Sequence, residues 1–145
     1  MTLDEILDQW DIDAKIDETN IGHEASRNPQ LHAKYIRLLA TSKLQLRSSE
    51  SRYLTARKIH FRYFNGELNR AELVELGWEQ YQGIKPLKTQ MEDMLLCAPE
   101  LIKLTDKMEY FTTVKTTLES ILKEISNRVW TVKTSFEYQK MMNGN

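Results

Sequence analysis

The chain has 145 residues, enough for one domain with a modest core, and its 41% hydrophobic and 28% charged residues fit a soluble globular or helical protein. Its 5 Gly and 3 Pro are too few for the turns of an all-β fold, and no apolar run approaches the roughly 18 residues of a membrane span. The net charge of -1 sums two opposed blocks: residues 1–25 hold eight acids against Lys15 alone, and residues 32–63 hold eight bases against Glu50 alone. Such a basic block suits a polyanionic partner.

In chain order, the opening MTLDEILDQW is acidic and lacks a signal-peptide layout. Leu3, Ile6, Leu7 and Trp10 follow helical spacing and predict a short amphipathic helix over 3–10. Residues 11–28 read as a loop with one turn near Ile21 to Ser26. Residues 1–28 then form an acidic arm: an internal competitor for the basic block, a docking tail, or a solvated face. Asn28 as N-cap and Pro29 in the first helical position open a long helix over 29–64, stopped by Asn65-Gly66. At 1.5 Å per residue it runs about 54 Å, more natural in an oligomer or coiled coil than in a compact domain.

Spacing of about 100° per residue places Leu31, Tyr35, Leu38, Leu46, Tyr53 and Ala56 on one arc of this helix, with His60 towards that side. The opposite arc carries Arg37, Lys43, Arg47, Lys58 and Arg62, with Phe61 at its edge. Residues 67–104 break into short helices and loops, one over ELNRAELVELGWEQY and one over LKTQMEDMLLCA that Pro99 stops. The last segment, 105–145, is the clearest. Phe111, Val114, Leu118, Ile121, Ile125 and Val132 form a heptad seam, broken at Arg128, on a helix over 106–142. The seam serves either packing against helix 29–64 or self-association; two helices this long in a small chain favour self-association. The fold class is all-α.

Catalytic chemistry finds no support. HEASR at 23–27 begins like a zinc-protease motif, but Arg27 stands where the second histidine ligand belongs. There is no phosphate-binding glycine loop and no nucleophile elbow. Cys97 excludes an internal disulfide, points to a reducing compartment, and reads as a small buried apolar residue. No metal site, cofactor or catalytic residue is expected.

The stretch TARKIHFRYFNG at 55–66 is different: three strong bases, a histidine and three aromatics precede its glycine. Cations suit phosphates, and rings suit the open base faces of a single strand. Any solvated helix also has a charged face, but the excess of seven positive charges over residues 32–63 favours the nucleic-acid reading. The competing class is a helical scaffold protein without nucleic-acid binding, separable by salt-sensitive binding of single-stranded DNA.

The order of these features resembles the UvsY recombination mediator family of T-even-like phages over most of the chain. IDETN and EASRN look like the family's I-D-x-T and E-A-x-x-N segments, and LHAKYIRLLATSKLQL like its L-x-x-K-[WY]-[IL] helix. KIHFRYFNG lies where the family has its strand-binding K-A-R-L-D-Y-Y-x-G, and ELIKL and MEYF have counterparts before the last helix. The resemblance implies that Lys58, Tyr63 and Gly66 match the motif directly and that Phe61 replaces its leucine. His60 stands at the family's arginine, and Arg62, at an acidic position, supplies the missing cation with help from Arg57. It further implies a non-catalytic accessory protein in the cytoplasm of an infected bacterium. Such a protein forms a closed homo-oligomer of six or seven subunits and binds single-stranded DNA. It helps load a RecA-like recombinase onto strands covered by single-strand-binding protein, in recombination, repair and recombination-dependent replication.

Overall fold

Thr2 opens the first helix: its Oγ1 accepts the Glu5 amide at 3.2 Å, and Glu5 Oε2 accepts the Thr2 amide at 2.8 Å. The computed structural model describes residues 1–144. Within them lie five helices and no strand: α1 (Leu3–Asp13), α2 (Ile21–Phe64), α3 (Arg70–Leu76), α4 (Lys88–Cys97) and α5 (Pro99–Met142). The all-α class inferred from the periodicities holds.

Several boundaries move, beginning with α1, which runs on to Asp13 where a loop was expected from residue 11. Helix α2 begins at Ile21, eight residues before the expected start at Pro29, so Pro29 lies inside it. Asn28 does not cap. Its Nδ2 donates to the Ile125 carbonyl at 2.8 Å and its Oδ1 accepts from Arg128 Nη1 at 3.1 Å. An interior proline costs about 3 kcal/mol, and Glu24 in the turns before it is held by Arg27 and Arg128. The other end behaves as expected. Gly66 takes φ +70°, and the Glu67 amide closes on the Arg62 carbonyl at 2.8 Å.

Helix α3 is only 7 residues long, because Gly77 adopts a left-handed cap and the Trp78 amide reaches the Leu73 carbonyl at 3.0 Å. Helix α5 starts at Pro99 rather than 106. Ahead of it Ala98 is extended, so the proline both ends α4 and occupies the first position of α5, where its missing N–H is not needed.

The chain divides into two compact units, residues 1–44 with those from 112 onward, and residues 45–111. In the first, α1, the front of α2 and the rear of α5 share one core: Ile6, Leu31, Tyr35 and Leu39 against Val114, Leu118, Ile121 and Ile125. Trp10 meets Tyr35 edge-on at 5.5 Å. Four of the six seam residues assigned to self-association are thus covered inside the chain, and Val132 is buried as well. In the second unit, Ala56, Met91, Leu95, Ala98 and Leu101 form a separate core, flanked by Tyr53, Phe64 and Leu104, whereas Cys97, expected to be buried, points away from it and is exposed.

Buried charges order the first unit. Arg128 Nη2 meets Glu24 Oε2 at 2.6 Å, with both side chains almost fully covered. Arg27 bonds the same carboxylate at 2.9 Å. Asp13 accepts from Lys34 Nζ at 2.6 Å and from Tyr35 Oη at 2.8 Å. The acidic arm is therefore partly an internal partner of bases on α2. Burial pushes the Asp13 and Glu24 carboxyls up. Hydrogen bonds and charge from Lys34 and Tyr35 at Asp13, and from Arg128 and Arg27 at Glu24, outweigh it and hold both below the usual carboxylate range. Burial first, then the Asp13 carboxylate, pushes the Tyr35 hydroxyl up.

Because both carboxyls are lowered on folding, their contribution is complete above the unfolded value of about 4 and disappears as pH falls through the lowered folded value. We expect the urea midpoint of the wild type to fall on going from pH 7 to pH 3. The Asp13→Asn, Glu24→Gln double variant should lose that part of the dependence. Glu24→Gln alone leaves Arg128 without its buried partner and should cost about 3 kcal/mol at pH 7, measured by urea unfolding.

Candidate nucleic-acid interface

Within residues 45–111, α2 turns Ala56 and His60 inward and leaves Leu54, Lys58 and Phe61 outward. This is helical spacing at work: positions three and four apart share a face. Lys58 is exposed and, among the described residues, has no ion pair. Phe61 beside it is 39% exposed. A cation and a ring thus stand together on the surface.

The other candidates of the stretch are committed elsewhere. Arg62 makes a two-pronged bond to Glu72 of α3, at 2.7 and 2.9 Å. That contact lowers the Glu72 carboxyl and raises the guanidinium. Glu72 also caps α3 through Asn69, so Arg62 helps dock that helix. Arg57 donates to Glu92 of α4 at 2.9 and 3.2 Å. His60 is buried. Its Nδ1 lies 2.8 Å from the Ala56 carbonyl, an acceptor that requires the proton on that nitrogen, and its ring meets Trp78 edge-on at 4.9 Å. Tyr63 donates to the Glu79 carbonyl at 2.8 Å and stands among Phe64, Trp78 and Tyr81, with ring centroids 5.0 to 5.6 Å away. His60 and Tyr63 therefore brace the loop after α3. Arg47 pairs with Glu50 at 3.5 Å in a largely exposed contact.

In the first unit, Arg37 and Lys43 are exposed and without ion pairs among the described residues. Sequence reasoning missed Lys88. It is exposed at the start of α4 and lines a groove of about 300 Å³ with Phe61, Asn65, Pro86, Met91 and Glu92. Its only signal was the run KPLK at 85–88 ahead of a helix. Among the described residues no cluster could hold a metal ion, and no helix is long and apolar enough to cross a membrane.

A model of the family described as recombination, repair and ssDNA binding protein UvsY matches residues 9–145. The chain belongs to the UvsY family. It is a recombination mediator that binds single-stranded DNA, and not an enzyme. Crystal structures of the bacteriophage T4 recombination mediator protein UvsY share its fold. One lattice form gives a TM-score of 0.85 at 19% identity, covering 100% of this chain and 99% of that one. Another gives 0.82 at 18% identity, covering 98% and 99%. No curated protein sequence matches the chain.

In this UvsY-family chain an acid holds each of two arginines of the basic stretch. Glu92 is well exposed, so its pair with Arg57 is worth at most about 1 kcal/mol and a phosphate can displace it. We expect Glu92→Gln to tighten binding to single-stranded DNA by about two- to fivefold, the value of one exposed pair. Fluorescence anisotropy at fixed salt reads this directly; unchanged or weaker binding would show that Arg57 does not reach the strand.

Proposed function

We propose that the strand runs along the outward face of α2 in the second unit. Lys58 takes a phosphate, Phe61 offers a ring to a base, and Arg57 exchanges its carboxylate for the backbone. Arg62, tied into the α3 cap, contributes less, and His60 and Tyr63 act through packing. Arg37, Lys43 and Arg47 add long-range attraction. The observation that carries this reading is the free lysine beside the exposed phenylalanine. One such site binds weakly, and copies joined in a closed ring of six or seven act at high effective concentration. The ring then holds the strand while a RecA-like recombinase replaces single-strand-binding protein, in the cytoplasm of the infected host.

Self-association in this reading uses what the core of the first unit leaves free. Val129, Trp130, Phe136, Tyr138, Met141 and Met142 are all exposed and lie on several sides of the last turns of α5. Exposed apolar side chains gathered at one end of a helix suit contact with other protein. Trp130→Asp with Phe136→Asp is expected to lower the mass in sedimentation while leaving the chain folded. Leu118→Asp is expected to unfold the first unit instead, because Leu118 is fully buried.

Lys58→Ala should weaken all strand sequences alike, since phosphates carry no sequence information. The slope of log affinity against log salt should become shallower by about 0.7 per engaged subunit. Salt titration with a labelled oligonucleotide checks this; an unaltered slope with the oligomer intact would move the strand off this face.

A further inference from the structure

The groove beside Phe61 opens over Met91 of the second unit's core and is built from side chains of three segments. Phe61 and Asn65 come from the last turns of α2, Pro86 from the loop before α4, and Lys88, Met91 and Glu92 from α4. Its apolar surfaces are the Phe61 ring, Pro86 and Met91, the last only 3% exposed and so its floor. At about 300 Å³ it stands at the small end of ligand-sized clefts. Its polar groups fall into two kinds. Asn65 offers an amide that both donates and accepts, the chemistry that reads the edge of a base. Lys88 offers an unpaired cation, the chemistry that holds a phosphate.

We propose that this groove is a nucleobase subsite: one base of the bound strand leaves its stack and lies against Phe61 over Met91, while Lys88 holds an adjoining phosphate. The proposal rests on the reading that the strand follows α2, and it adds α4 as the second wall of the path. Three observations carry it. Phe61 lines the groove from a basic helix and brings a ring to it rather than an aliphatic chain. Lys88 in the groove and Lys58, three residues before the ring on α2, are both exposed and free of ion pairs among the described residues. The rest of the lining, Pro86 and Met91, is apolar and suits a base face, while Glu92, the acid in the groove, opposes the phosphate once Arg57 turns to the backbone. A duplex cannot use the groove, since its bases are paired and stacked; a single strand can.

The test uses the full chain and an oligothymidylate carrying one 2-aminopurine, with a matched oligonucleotide bearing abasic positions. With the wild type, 2-aminopurine fluorescence should change on binding, and the abasic strand should bind about fivefold more weakly, the low end of base-on-ring stacking. Phe61→Ala should abolish both differences, and Phe61→Tyr should keep them. Lys88→Gln should weaken the normal and abasic strands alike and lower the salt slope, as Lys58→Ala does. If Lys58→Ala weakens binding while Lys88→Gln and Phe61→Ala change nothing, the strand follows α2 and the subsite is wrong. If Lys88→Gln and Phe61→Ala act while Lys58→Ala is silent, the subsite stands and the path along α2 is wrong. Silence of all three overturns both.

Discussion

A guanidinium sits where an aliphatic side chain is expected. Arg128 interrupts the apolar seam of α5, and with Glu24, Arg27 and Asn28 it sets the arrangement of the first unit. A buried cation must keep its partner, because an unpaired one costs several kcal/mol. Glu24 lies in the first turn of α2 and Asn28 one turn on, so that start of the helix has to be wound and docked before the guanidinium gains these partners. This is why α2 extends back past its proline. A slip of α5 by one turn would leave the same guanidinium facing apolar side chains, so the pair also holds the register in which Val114, Leu118, Ile121 and Ile125 meet Leu31, Tyr35 and Leu39.

The second unit treats its charges differently. Its pairs are at the surface, where each is worth a fraction of a kcal/mol and water competes for both partners. Glu72 and Glu92 stand on two short helices and reach the same stretch of α2. They hold those helices in place without burying charge, and they lower the field that an approaching polyanion meets. The lysines beside Phe61 are left out of this pairing. The cations around Phe61 are thus graded: Lys58 and Lys88 are unpaired, Arg57 is held in an exposed pair, and Arg62 is bound into the helix cap.

The all-α class, the stop at Asn65-Gly66, the inward side of α2 and the inner residues of α5 were legible in the sequence, because each follows from local chemistry or from spacing of apolar residues. The start of α2 was not, because proline and asparagine have a strong local meaning that a partner a hundred residues away overrides. The partner of the heptad seam was not legible either: the same a/d spacing serves a neighbouring copy or a helix of the same chain, and spacing carries no information about which. At the site, the concentration of Lys58 and Phe61 could be read off. The pairing of Arg57 and Arg62 could not, since Glu92 and Glu72 are 35 and 10 residues away. Lys88 joins the groove by tertiary contact alone.

The gradation of cations bears on what a mediator must do. A protein that captures a strand and keeps it would block the recombinase it serves. Under the proposed path, each copy holds the strand with few uncompensated charges and must break an internal ion pair to recruit more. Affinity then comes from the number of copies engaged at once and falls steeply as they let go one by one. Strong salt dependence of the whole assembly and weak binding by each subunit are two sides of that arrangement. The carboxylates that weaken a single site return to their arginines as each contact is released, so that release at one subunit is partly compensated within the chain and does not wait for solvent ions alone.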